Sequence, residues 1–463
     1  MGLQMLKHVR MYTILIVLMG LIAGCGGPAP TEPAAGNDAT TDESATDGAT
    51  TDESAEGNAT RDDNSTIILR VGTGDSGEGL TPHQEIIAKF EEENPNILVQ
   101  LEAVAGNDYY ARLLTQVAAD AAPDIMQIGD DAVPNFVDSG ALISLDEYIS
   151  GPNSLDSEIY LPGVFEPGQY NGEQYLLPKD YSPLAVYYNK TLFDELEIAY
   201  PEDGWTWDDF LETAQALTQD TDDDGQTDIW GLQLPGPWTT GFEYWVAASG
   251  GRLISEDGST FEGFMDSPET IEAVQFYADL YNEYQVAPPP ADMSAFGGGN
   301  SEFDNGTAAM RIFGRWPQSG MLENPNVDLG VVGMPMGNER ANVLFWGGFG
   351  ISSTSANPDA AWEFLRFYAG EQGAEVWKDW ALPAVTSVAE EAGLNDDPIE
   401  GVWLNELNHL TPRAYTATPF WGDTADPALR QALETIILDP EADVAATMTT
   451  AAQEAQSALA DQQ

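Results

Sequence analysis

Ile67-Ile-Leu-Arg-Val71, Ile97-Leu-Val-Gln-Leu-Glu-Ala-Val104 and Pro123-Asp-Ile-Met-Gln-Ile128 are three short runs rich in β-branched and other apolar residues. Two segments with helical spacing lie between them. The first starts at Thr81-Pro82, a capping residue followed by a proline suited to a first turn, and puts Ile86, Ile87 and Phe90 on one face. The second spans Tyr109 to Asp120. Strands alternating with helices at this spacing predict a doubly wound α/β sheet. Such sheets bind ligands where loops gather at the carboxyl ends of the strands. Those loops carry Gly74, Asp75, Ser76 and Glu78, then Asn107, Asp108 and Tyr109, then Asp130 and Asp131.

The first loop, Gly72-Thr-Gly-Asp-Ser-Gly77, matches the glycine spacing of a dinucleotide site. A pyrophosphate needs bare amides at a helix terminus, however, and Asp75 and Glu78 would repel it. Glycines that let a strand end turn sharply are the better account. Further along, Pro183-Leu-Ala-Val-Tyr-Tyr-Asn189 reads as a strand, and Trp205-Thr-Trp-Asp-Asp-Phe-Leu211 opens a helix. Thr206 caps that helix and Asp209 reaches back, with Trp207, Phe210, Leu211, Ala214 and Leu217 on its apolar face. Ser267-Pro268 and Asn357-Pro358 begin two more helices, each pairing a cap residue with a first-turn proline, the second helix ending at Gly370.

The chain has 463 residues, 43% of them hydrophobic, enough for two or three domains. Against 77 acidic residues stand 16 basic ones, a formal net charge of -61. That field repels phosphate backbones and excludes nucleic acid as a partner. It suits a saline or acidic habitat, where self-repulsion is relieved. Three histidines and one cysteine leave no disulfide and no His-rich zinc site.

Lys7 and Arg10 precede the apolar run Met11–Gly24, a basic start and short hydrophobic stretch that read as a secretory signal. The small residues Ala23 and Gly24 stand directly before Cys25, which resembles the lipobox of bacterial lipoproteins. The resemblance implies cleavage before Cys25, acylation there, and anchoring to the outer face of the cytoplasmic membrane. From Gly26 to about Ser65 the chain is Thr, Asp, Glu, Ala, Gly and Ser, with Ala39-Thr-Thr-Asp-Glu-Ser-Ala45 repeated at Ala49–Ala55. Lacking large apolar residues, residues 25–65 are expected to form an unfolded acidic tether.

Leu177-Pro178 with Leu184-Ala-Val-Tyr-Tyr-Asn-Lys-Thr-Leu-Phe193 resembles the interlobe crossing of the extracellular sugar-binding solute receptors of ABC importers. Trp205–Leu211 with Ala214-Gln-Ala-Leu-Thr218 and Ile229-Trp-Gly-Leu232 is similar to the same family. So are Gly306-Thr-Ala-Ala-Met310 with Gly314-Arg-Trp316, and Trp346-Gly-Gly-Phe-Gly-Ile351 with Ala360-Ala-Trp-Glu-Phe-Leu365. These motifs cover most of residues 66–455 in family order. The resemblance implies a two-lobed periplasmic-binding fold of type II, each lobe a sheet with helices on both faces, joined by several crossings. Lobe one would be 66–180 plus 335–400, and lobe two 181–334 plus 401–463. Ligand binding would close the hinge for the importer's membrane subunits to read. The resemblance also implies a monomer, without cofactor and without catalysis.

Sugars present apolar ring faces and rims of hydroxyls, so a site needs flat aromatics together with carboxylates or amides. The chain's 12 Trp, 17 Tyr and 17 Phe suit that need. Carried over residue by residue, the resemblance marks Asp131, Asp180, Tyr181, Trp238, Glu243, Trp316, Trp346, Gly347, Phe420 and Trp421, beside the loop acids Asp75, Glu78 and Asp108. Trp316 and Trp421 are expected to share one groove. Ser182 departs from relatives that carry a glutamate at or near this place.

Asp220-Thr-Asp-Asp-Asp224-Gly225-Gln-Thr-Asp228 matches the start of a calcium loop, with Asp220, Asp222, Asp224 and Asp228 as candidate ligands. Its twelfth position is Gly231 in place of an acid, so a further ligand must come from elsewhere. Two other functions fit the composition. An exported glycoside hydrolase needs two carboxylates about 5–5.5 Å or 6.5–9.5 Å apart, and no motif marks such a pair. Alternatively, the same fold could bind a peptide, a polyamine or a metal chelate.

Overall fold

The structure, a computed structural model, describes residues 66–106, 108–288 and 302–462. The signal segment, Cys25 and the tether lie outside the described residues, and the Asp108 side chain is likewise undescribed. All described residues belong to one compact unit, and no helix among them is long and apolar enough to cross a membrane.

Eleven strands follow in chain order: β1 (Ile67–Thr73), β2 (Ile97–Ala103), β3 (Ile125–Gly129), β4 (Gln169–Tyr170), β5 (Glu173–Gln174), β6 (Leu177–Pro183), β7 (Ala185–Asn189), β8 (Trp230–Gln233), β9 (Ala308–Phe313), β10 (Leu329–Val332) and β11 (Leu344–Ile351). Two sheets carry the fold, and β4–β5 is a small hairpin beside them. The first sheet has the order β2-β1-β3-β11-β6, parallel where β1 meets β2 and β3, antiparallel where β11 meets β3 and β6. The second has the order β10-β7-β9-β8. This is a two-lobed α/β architecture.

The first three strands arise where the apolar runs predict them. Leu69, Val71 and Ile125 are fully buried beneath the helix Thr81–Glu93, which turns Ile86 and Phe90 inward. Thr81 is not that helix's cap. The 3₁₀ turn Gly77–Leu80 runs straight into it, so the backbone is already helical at Leu80 and no capping side chain is used. The Thr206–Asp209 capping box forms as read and Ser267 caps the helix Pro268–Asn282, whereas Asn357 precedes the helix Pro358–Ala369 without a side-chain capping bond.

The two cores meet at β7. Successive strand side chains point to opposite faces. Ala185 and Tyr187 pack with the first lobe's core, Tyr187 lying 5.5 Å from Trp403, while Val186 and Tyr188 belong to the second. Next to this sheet, Asn342 ties three crossing segments together. Its side chain accepts from Leu184 N (3.0 Å) and donates to Leu184 O (2.8 Å) and to Glu406 Oε2 (2.6 Å). Its backbone carbonyl takes Thr411 N (2.9 Å). Asn342 and Glu406 are both fully buried.

Candidate binding cleft

A cleft of about 470 Å³ opens at the carboxyl ends of β1 and β3. Its first wall comprises Asp75, Glu78, Lys179, Asp180, Tyr181, Trp346, Gly347 and Trp377, and Arg315, Trp316 and Phe345 stand across it. The loop after β1 is shaped by Tyr109, whose hydroxyl donates to Gln127 O (2.9 Å) and whose ring lies against Gly74. No cradle of free amides results. Instead the Asp75 carboxylate turns back to His83 (2.7 Å) and Lys179 (2.8 Å). Burial pushes the Asp75 carboxyl up, but His83 and Lys179 outweigh it and hold the group well below the usual range.

Trp316 is half exposed, at 51%. Its ring lies over Gly314, where an added Cβ would come within 1.9 Å of the indole, so only glycine admits this turn. Phe313, Phe345 and Trp238 surround it at 4.9, 5.4 and 6.2 Å between centroids. Arg315 fastens the turn with a bidentate pair to Glu400, both bonds 2.7 Å, and its backbone N–H donates to Ser182 Oγ (2.7 Å). Trp346 is buried and donates through Nε1 to Val164 O (2.7 Å), so it forms the floor.

Asp75, Glu78, Asp180, Tyr181, Trp316, Trp346 and Gly347 therefore come together as the sequence suggests. Asp131 sits beside the cleft, with its Oδ1 closing over Gly129. It is open to solvent, yet the surrounding protein raises its carboxyl, with Arg413 working against that rise. Trp238 backs the wall by stacking on Phe345 at 4.8 Å without lining the cleft.

Three expected members lie elsewhere. Trp421 is only 5% exposed, begins the helix Trp421–Leu438 and packs against Phe261 in the second core, so it does not share a groove with Trp316. Phe420, half-buried, packs on that same core and does not line the cleft. Glu243 is buried, receives Arg413 (3.3 Å) and Ala414 N (2.8 Å), and faces a separate pocket of about 540 Å³. Sequence reasoning missed Lys179, Arg315, Phe345 and Trp377, which all line the cleft. The one available signal was Lys179-Asp180, a rare base inside a predicted crossing. Asp130, next to Asp131, accepts a hydrogen bond from Tyr415, which belongs to the second core.

The calcium loop is brought together in part. Carboxylate oxygens of Asp220, Asp222 and Asp224 lie within 4.8 Å of one another. Asp228 does not join them, because its carboxylate accepts from Thr221 N (2.8 Å) and the Thr221 hydroxyl.

Residues 74–375 match the family described as bacterial extracellular solute-binding protein. The chain belongs to this family. Like its relatives, this solute-binding protein is a binding protein of the extracytoplasmic space. It is 25% identical over 350 residues to a maltotriose-binding protein of Pyrococcus abyssi, covering 73% of this chain and 70% of the relative. A diacetylchitobiose binding protein of Streptomyces coelicolor is 24% identical over 288 residues, 61% of this chain and 65% of the relative. Among solved structures, a substrate-binding protein from Listeria monocytogenes in complex with cycloalternan superposes with a TM-score of 0.74 at 24% identity, covering 86% of this chain and all of that one. A Mycobacterium tuberculosis protein in complex with glycerophosphocholine gives 0.73 at 22% identity, covering 86% and 99%.

Proposed function

We propose that this protein captures an extracellular oligosaccharide in the cleft and delivers it, uncleaved, to the membrane subunits of an ABC importer. The observation that carries this reading is the pairing of a half-exposed indole, Trp316, with a facing wall of carboxylates, Asp75 and Asp180. An indole covers a sugar's apolar face while carboxylates accept from its hydroxyls. The maltotriose and diacetylchitobiose relatives support the same ligand class. A phosphodiester fits less well, because Asp75, Glu78 and Asp180 all face the cleft. Residues 66–463 are expected to melt at a higher temperature with malto-oligosaccharides or chito-oligosaccharides, and to release no shorter product. A rise with a polyamine or peptide alone would overturn the ligand class, and product release would overturn the binding role.

In this reading Cys25 carries the lipid anchor and residues 26–65 span the distance from the membrane. Labelling with a fatty-acid analogue should mark the wild type and spare Cys25→Ala. Asp220, Asp222 and Asp224 would hold a calcium ion, whose charge would relieve their mutual repulsion and brace the loop. Their gathered oxygens fit such an ion, although Asp228 and Gly231 supply nothing to it. Millimolar calcium should raise the melting temperature relative to EDTA, and Asp222→Asn should remove the difference. An unchanged melting temperature in the wild type would rule the ion out.

A further inference from the structure

Lys179 is the buried charge nearest the cleft. Its side chain is 4% exposed, yet it lies between two acids that solvent reaches, Asp75 at 27% and Asp180 at 36%. Nζ is 2.8 Å from Asp75 Oδ2 and 2.9 Å from Asp180 Oδ2, and it sits 5.2 Å from the Trp377 ring centroid. Two acids and one aromatic face thus engage the ammonium, and its burial leaves it little surface to offer a ligand. Oδ1 of Asp75 and Oδ1 of Asp180 have no hydrogen-bond partner among the described residues. Gly347 keeps the latter uncovered, since a Cβ there would stand 3.0 Å from Asp180 Oδ1.

We propose that Lys179 is a positioning residue for ligand capture: it fixes one oxygen of Asp75 and one of Asp180, so that the other oxygen of each is presented to the cleft as a paired acceptor for ligand hydroxyls. The proposal rests on the sugar-binding reading and deepens it. His83 completes the arrangement. A neutral ring donating from Nε2 to Asp75 (2.7 Å) and accepting at Nδ1 from the Tyr368 hydroxyl (2.9 Å) satisfies both nitrogens. Burial lowers the His83 pKa, which favours that neutral form. The charged and titratable groups around Asp75 are His83 on the helix Thr81–Glu93, Tyr109 on the helix Asp108–Ala118, Lys179 on β6 and Tyr368 on the helix Pro358–Ala369, with Glu78 and Asp180 lining the same cleft. Among these only the Lys179 charge is positive across neutral and mildly acid pH.

The test follows the Asp75 carboxyl by carbon NMR in the full chain, wild type and Lys179→Met, and measures maltotriose affinity at several pH values. In the wild type Asp75 should stay ionised well below the ordinary aspartate range. In Lys179→Met it should titrate at higher pH, and affinity should drop about ten- to a hundredfold, the scale of a lost charge-assisted bond. The loss should deepen as pH falls through that raised value, whereas wild-type binding stays flat. Asp75→Asn added to Lys179→Met should weaken binding by less than it does alone, because the Asp75 contribution already depends on Lys179. An Asp75 that titrates normally in the wild type overturns the proposal even if Lys179→Met fails to fold. So does an unchanged Asp75 titration in Lys179→Met, and so do fully additive losses. If the wild type binds neither maltotriose nor diacetylchitobiose, the sugar reading fails, and the carboxyl titrations still decide what Lys179 does.

Discussion

The two walls of the cleft are held in different ways. On one side Asp75, Lys179 and Asp180 are fixed by ion pairs that reach back to His83 and Tyr368 inside the first lobe. On the other, Phe313, Trp316, Trp238 and Phe345 pack by edge and face contacts with one another, on a turn that Arg315 ties to Glu400. Charged groups keep a direction only when each has a partner, whereas rings keep theirs by packing. One wall is therefore suited to grading hydroxyl positions, and the other to accepting any flat apolar face.

The sharpest way to break this contrast is to compare two tryptophans. Trp421→Ala should lower stability by about 3–5 kcal/mol, as expected for a large buried ring, with affinity of the folded protein nearly unchanged. Equilibrium urea unfolding and calorimetry together check it. Trp316→Ala should do the reverse, weakening maltotriose binding about 30-fold, the scale of an interface hot spot of about 2 kcal/mol, while the urea midpoint barely moves. Equal binding losses from both would abolish the distinction between the aromatic wall and the core.

A third variant probes the place where the polar wall touches the second lobe. Burial pushes the Asp130 carboxyl up to about 7, against the pull of Arg413 and Tyr415. An unfolded aspartate ionises near pH 4, so between about pH 4 and 7 the native state holds the proton more firmly. Stability from this group therefore declines as pH rises through that window. Asp130→Asn should gain on the wild type in melting temperature between pH 5 and pH 8, and a constant gap would show that Asp130 titrates elsewhere. The smallest effect concerns ligand charge. An oligosaccharide ending in a uronate should bind about tenfold more weakly than its neutral counterpart, a gap that 1 M salt narrows.

What the sequence discloses follows the range of the interactions involved. The first three strands, the Thr206–Asp209 box and the Ser267 cap depend on neighbours a few residues away, and each forms as read. Trp316 is legible for a similar reason, since Gly314 two residues earlier makes room for its ring. Trp421 misleads because Pro419 and Phe420 suggest a turn at the surface, whereas its burial depends on Phe261 far along the chain. Glu243 misleads likewise, since its partner Arg413 lies 170 positions away. Lys179 was hidden by the chain's own composition. Among 77 acids attention goes to carboxylates, and only the folded register shows which two of them share an ammonium.

Asn342 has a mechanical consequence. One residue laces three segments, its carboxamide holding the strand-to-strand link at Leu184 and its backbone carbonyl holding the Thr411 segment, so no single thread can swing without dragging the other two. Three connections tied at a common knot behave as one door hinge with a single pin. If the lobes close on a ligand, that closure amounts to rotation about one axis, one coordinated movement instead of a loose scatter of poses.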